Sequence, residues 1–169
     1  MPLEFSSQAR QRIAAVRARY PEAQAACLPA LWIAQEELGY VPDEVVPLVA
    51  RELGLSEAHV YGVLTFYTMY LRQKPGRFLI QLCTNVSCWA NGAYDLLAHL
   101  EQRLGIKRGE TTKDGLFTLL EVECLAACGQ APMMLVNDTY YYDLTRDRVN
   151  TLIDELRVRG TGMSKGTGA

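Results

Sequence analysis

The chain contains 169 residues and carries a formal net charge of −2, from 17 basic and 19 acidic side chains. Hydrophobic residues make up 49% of it and charged residues 21%, a balance that is typical of a globular protein and excludes disordered, collagen-like and coiled-coil chains. The sequence pI of about 5.7 argues against nucleic acid or an anionic membrane as the main partner.

Membrane insertion and secretion are not expected from the sequence. A bilayer span takes about 20 apolar residues, and the best candidate, residues 58–71, is shorter and contains His, Tyr and Thr. The N-terminal segment contains several arginines and lacks the apolar region of a secretory signal. We therefore expect a cytoplasmic protein without direct membrane insertion, in a compartment where cysteines stay reduced.

Residues 1–76 are expected to form a helical bundle. Apolar side chains recur there at helical spacing in four stretches. Each stretch begins at a capping residue or a proline, namely Ser6 or Ser7, Pro21, Asp43 and Ser56. Pro29 is expected to kink or restart the second helix. The sequence Lys74-Pro75-Gly76 predicts a turn, and we place the domain boundary there.

Residues 77–160 show a different pattern, with short apolar runs in place of long helical stretches. These runs predict four strands, at Phe78–Leu82, Leu116–Val122, Met133–Val136 and Tyr140–Tyr142. A helix is predicted over Asn91–Leu104, and Thr145 is expected to cap a final helix. The order β-α-β-β-β-α predicts an α/β or α+β domain with a mixed four-stranded sheet, similar to thioredoxin-like domains. Residues 161–169 are expected to form a flexible tail.

Four cysteines are the residues most indicative of chemistry. They form a Cys-x4-Cys pair and a Cys-x3-Cys pair separated by 35 residues, namely Cys83, Cys88, Cys124 and Cys128. Each pair follows the end of a predicted strand, so adjacent strands would deliver both pairs to one edge of the sheet. Four thiolates at one place form a metal-ligand set. The fifth cysteine, Cys27, lies at helical spacing from Leu31 and is expected to be a buried core thiol.

Two kinds of metal centre are compatible with these cysteines. A structural zinc site takes four thiolates, although its pairs are usually more closely spaced. A [2Fe-2S] cluster also takes four thiolates, and a four-residue gap between ligands occurs in plant-type ferredoxins. Lys and Arg are absent from residues 78–102 and 114–145, an environment that favours a low reduction potential for such a cluster. A zinc-stapled interaction module remains the alternative at this stage.

Several segments resemble the NuoE family, the small [2Fe-2S] subunit of respiratory complex I, the NADH:quinone oxidoreductase. The resemblance covers roughly residues 10–160 and includes the segments Leu31–Gly39, Tyr61–Tyr67, Cys83–Cys88 and Glu123–Pro132. It implies a helical bundle followed by a thioredoxin-like domain with one [2Fe-2S] cluster. By motif, the implied ligands are Cys83, Cys88, Cys124 and Cys128.

The same resemblance implies the partners and the activity. The family's partner is a flavoprotein subunit that binds FMN and NADH, alongside other peripheral-arm subunits of complex I. It implies a position at the cytoplasmic face of the inner membrane through the complex, or in the mitochondrial matrix of a eukaryote. The module also occurs in NAD-linked hydrogenases and formate dehydrogenases. Because the sequence shows no phosphate-binding glycine loop, the isolated chain is not expected to oxidise NADH.

Overall fold

The computed structural model describes residues 3–162, and the chain divides into two compact units, Met1–Lys74 and Pro75–Ala169. The predicted flexible tail, residues 161–169, lies almost entirely outside the described residues. The exception is its first two residues, which belong to the final helix. No helix in the described range combines the length and the apolar character that crossing a membrane requires.

The first unit consists of helices, as predicted. Its α-helices are α1 (Ser7–Arg17), α2 (Cys27–Leu38), α3 (Val46–Leu53) and α4 (Glu57–Phe66). Two 3-10 turns, Ala23–Ala26 and Asp43–Val45, precede α2 and α3. The apolar faces of the four helices share one core, in which Ile13, Leu31, Val49 and Leu64 are almost fully buried.

The predicted helix starts in the first unit are largely confirmed. The side chains of Ser6 and Ser56 accept hydrogen bonds from the backbone N–H groups of Ala9 and His59 and so cap α1 and α4. Pro29 lies in the first turn of α2, where a missing backbone N–H costs nothing. The second helical stretch therefore restarts at α2 and is not broken by the proline.

The second unit contains a mixed four-stranded sheet, which confirms the predicted fold class. Its strands are β1 (Phe78–Cys83), β2 (Phe117–Val122), β3 (Met134–Val136) and β4 (Thr139–Tyr141), in the spatial order β2-β1-β3-β4. Strand β1 is parallel to β2 and antiparallel to β3, and β3 is antiparallel to β4.

Three helices complete this unit: α5 (Val86–Ala90), α6 (Ala93–Leu104) and α7 (Arg146–Gly162). Helices α6 and α7 bury Leu100 and Ile153 against the sheet residues Ile80 and Leu119 in a second core. Helix α5 was not expected, and it carries one of the candidate ligands. The prediction of a plain loop between Cys83 and Asn91 is therefore wrong.

Candidate metal centre

The candidate site lies at the carboxyl ends of β1 and β2. Cys83 is the last residue of β1 and pairs in register with Val122, the last residue of β2. Because the two strands are parallel neighbours, the segments that follow them start at the same edge of the sheet. The predicted placement of both cysteine pairs at one edge is confirmed at the level of the backbone.

The first pair is buried. Asn85 accepts a hydrogen bond from the N–H of Val86 at 2.6 Å and so begins α5, which carries Cys88. Cys83 and Cys88 expose only 4% and 2% of their surface and pack with Met133 in a small separate cluster. Burial of this pair could not be read from sequence, because five helical residues are too few to show a periodicity.

The second pair is exposed. Cys124 lies two residues beyond β2, and Cys128 begins a 3-10 turn, Cys128–Gln130, that packs against α5. Between them Ala126 adopts a left-handed conformation with φ of 59°, which costs a non-glycine residue about 1 kcal/mol. In this conformation the Ala126 N–H donates to the sulfur of Cys124 at 3.3 Å. Strain of this kind is common at functional sites.

The buried thiols interact with one another. Burial, and after it a hydrogen bond with Cys83, raises the pKa of Cys88 to about 11, while a backbone hydrogen bond at Met133 acts in the opposite direction. The charge of Cys128 also raises this pKa, which places Cys128 within electrostatic range of Cys88. Cys88 is therefore protonated at neutral pH, and it must release its proton when it binds a metal.

The donor set was tested against the two kinds of centre. In the described range, no three His, Cys, Asp or Glu side chains are arranged to hold one metal ion together. The thiols form instead a buried pair and an exposed pair, joined by the contact of α5 with the Cys128–Gln130 turn. A [2Fe-2S] cluster binds two protein ligands on each of its two irons, so two pairs of soft sulfur donors fit that group.

Two exposed apolar residues on α5 were missed by the sequence analysis. Val86 and Trp89 flank Cys88 and expose 68% and 61% of their surface. Which face of α5 is buried depends on its packing against the Cys128–Gln130 turn, and no local pattern reveals this. Large apolar side chains that stay exposed beside a redox site are typical of a partner-docking surface.

The fold and the thiol pairs together define a thioredoxin-like metalloprotein. The sequence model of the family described as thioredoxin-like [2Fe-2S] ferredoxin matches residues 13–157. The chain belongs to this family, which makes it a [2Fe-2S] protein and confirms the predicted cofactor.

Named relatives agree with the predicted resemblance to NuoE. The second E-type component of the NADH-quinone oxidoreductase of Rhizobium meliloti (strain 1021) is 49% identical over 88% of this chain and 88% of its own length. The E-type component of the same enzyme in Rickettsia conorii is 42% identical over 79% of this chain and 81% of its own. "NADH dehydrogenase [ubiquinone] flavoprotein 2, mitochondrial" of Dictyostelium discoideum is 37% identical over 92% of this chain and 64% of its own.

Among solved structures, the fold is similar to that of a chain of the NAD+-reducing [NiFe]-hydrogenase in its air-oxidized state. The TM-score is 0.67 at 22% sequence identity. The match covers 79% of this chain and 23% of the hydrogenase chain, so this chain spans about a quarter of its neighbour. At this identity the likeness supports the fold.

Proposed function

We propose that this chain is the [2Fe-2S] electron-transfer subunit of an NADH:quinone oxidoreductase and takes electrons from the FMN of a partner subunit that oxidises NADH. The observation that carries the proposal is the identity of 49% and 42% to the E-type components of two NADH-quinone oxidoreductases, each matched over more than three quarters of its length. When bound, a [2Fe-2S] cluster supplies a one-electron redox centre. Because NADH gives up two electrons as a hydride, a flavin is needed between the two.

In this proposal the ligands are the four paired cysteines, Cys83, Cys88, Cys124 and Cys128. The buried pair is shielded from water by Ala93 and Met133, and the exposed pair is open to solvent or to a partner. Such an arrangement gives the site one protected side and one accessible side. Electrons would enter at the accessible side.

The charges around the site favour a low reduction potential. The two segments that hold the cysteines, residues 78–102 and 114–145, contain no Lys or Arg. Arg108, which lies between them in sequence, forms an ion pair with Glu121. Added negative charge is therefore poorly compensated, which suits a carrier that works near the potential of the nicotinamide couple.

The partner would dock where the site is accessible. Val86 and Trp89 of α5 supply apolar area next to the exposed Cys124 and Cys128. We assign this surface to the FMN- and NADH-binding flavoprotein subunit, and other peripheral-arm subunits of complex I complete the assembly. The chain would then sit at the cytoplasmic face of the inner membrane, or on the matrix side in a mitochondrion, held there by its partners.

A second candidate is the equivalent subunit of an NAD-linked hydrogenase. The fold likeness to the NAD+-reducing [NiFe]-hydrogenase, with a TM-score of 0.67, is the observation in its favour. A tagged chain purified from its native membranes separates the two candidates. We expect it to carry NADH-dependent quinone reduction along with it, whereas hydrogen-dependent reduction of NAD+ would support the hydrogenase assignment.

Metal analysis tests the nature of the centre itself. Anaerobically purified protein should be reddish brown and contain about two irons and two acid-labile sulfides per chain, as a [2Fe-2S] cluster requires. A colourless protein with one zinc per chain would show that the cysteines form a structural zinc site.

A further inference from the structure

A polar bridge lies beside the first cysteine pair and has no part in metal ligation. Thr84, buried to 9% exposure, donates its hydroxyl hydrogen bond to Glu121 Oε1 at 2.9 Å. The other carboxylate oxygen of Glu121 accepts a hydrogen bond from the guanidinium of Arg108. The Tyr94 hydroxyl also hydrogen-bonds to the Glu121 side chain. Three donors from three different segments therefore converge on one carboxylate.

The bridge lies where the chain passes from one buried ligand to the next. Thr84 directly follows Cys83, and its backbone N–H donates to the carbonyl of Val122 at 3.1 Å. The next residue, Asn85, caps the helix that carries Cys88. Thr84 is thus held to β2 through both its backbone and its side chain. Its position fixes where α5 begins.

The carboxylate of Glu121 is kept ionised by its neighbours. Burial raises the pKa of Glu121, but the hydrogen bonds from Thr84 and Tyr94 and the charge of Arg108 outweigh that cost, so the pKa lies below its ordinary value. Hydrogen bonds to an ionised acceptor are stronger than those between neutral groups. The link to Thr84 is therefore a firm one at neutral pH.

We propose that Glu121 and Thr84 are positioning residues for the cysteine site, and that the Arg108–Glu121–Thr84 bridge fixes the segment between Cys83 and Cys88. The inference rests on the proposed function, because it assigns the bridge a role toward the bound cluster. It adds residues outside the ligand set, which act through the backbone geometry of the ligands and through a fixed negative charge close to them.

Thr84→Val and Glu121→Gln test the bridge, because each keeps the shape of the side chain and removes one element of it. In the metal-free protein, amide hydrogen exchange across Val86–Ala90 should accelerate roughly tenfold in Thr84→Val, the loss expected for a hydrogen bond to a charged group. In the loaded protein, Glu121→Gln should shift the midpoint potential upward, since it removes a negative charge. Thr84→Val should change the g-values of the reduced cluster, and Thr84→Ser should restore both exchange and g-values.

Thr118 provides a matched control at the other end of β2. It is also a buried threonine, and its hydroxyl accepts a hydrogen bond from the Gly76 N–H at 2.6 Å and shares one with Thr111 at 2.7 Å. Thr118→Val should lower stability without changing exchange in α5, the g-values or the potential. If it changed them as Thr84→Val does, the effect would be general loosening, and the inference would be overturned.

The arms of this experiment separate the inference from the proposed function. Wild-type protein without iron and sulfide would overturn the proposed function, and the exchange measurement on metal-free protein would still decide whether the bridge holds α5. Wild-type exchange, potential and g-values in Thr84→Val, in a protein that binds the cluster normally, would overturn the inference alone. Because contacting residues couple, the double variant should change the potential by less than the sum of the single changes.

Discussion

Replacement of any one of the four paired cysteines by serine should remove the [2Fe-2S] cluster or change its spectrum. The variants are Cys83→Ser, Cys88→Ser, Cys124→Ser and Cys128→Ser. A hydroxyl oxygen is a poorer ligand than a thiolate for this soft site. Iron and sulfide analysis, visible absorption and electron paramagnetic resonance of each purified variant measure the effect. Full iron content with an unchanged spectrum in one variant would remove that cysteine from the ligand set.

Cys27 is the matched control for the cysteine series. It lies in the core of the first unit with 1% of its surface exposed, and burial raises its pKa to about 11. Cys27→Ala should therefore keep the cluster and cost about 1 kcal/mol of unfolding free energy, from the lost packing of a small side chain. Loss of iron in this variant, with the circular dichroism of the native fold, would contradict the assignment of Cys27 as a core thiol.

Trp89→Ala should weaken binding to the flavoprotein subunit by roughly 30-fold or more. A tryptophan at the centre of an interface commonly contributes at least about 2 kcal/mol when it is truncated. Trp89 exposes 61% of its surface beside Cys88, so its removal should leave the cluster itself in place. Titration of the purified flavoprotein against each variant measures the dissociation constant, and visible absorption verifies that the cluster is retained.

Trp32 is the control for this prediction, because it is an exposed tryptophan on the first unit. It exposes 45% of its surface and lines an apolar groove with Leu28 and Met69. We expect Trp32→Ala to change the affinity less than Trp89→Ala does. The reverse order would place the main docking surface on the helical unit and contradict the assignment to α5.

Much of the fold follows from local patterns in the sequence. Ser6 and Ser56 cap the helices that they were predicted to begin, since capping is a contact within a few residues. The four strands lie within one residue of their predicted bounds, because short apolar runs between turn residues mark them. The cysteine pairs lie at one edge of the sheet for the same reason, since both follow strand ends.

The features that were missed depend on contacts between distant residues. Helix α5 is too short to show a periodicity, so the burial of Cys88 and the exposure of Trp89 were not predicted. The left-handed conformation of Ala126 arises in the loop between two ligands and has no glycine to indicate it. The contact between Thr84 and Glu121 spans 37 positions in sequence and depends on the register of two parallel strands.

Electron paramagnetic resonance after addition of NADH tests the central claim most directly. The measurement compares the isolated, flavin-free chain with the same chain mixed with its FMN-containing partner subunit. In the isolated chain we expect no signal of a reduced [2Fe-2S] cluster with NADH and a full signal with a strong chemical reductant, because a hydride donor cannot deliver single electrons without a flavin. In the mixture, NADH alone should produce the signal. A reduced-cluster signal from NADH in the isolated chain, or none in a mixture whose flavin is reduced, would contradict the account.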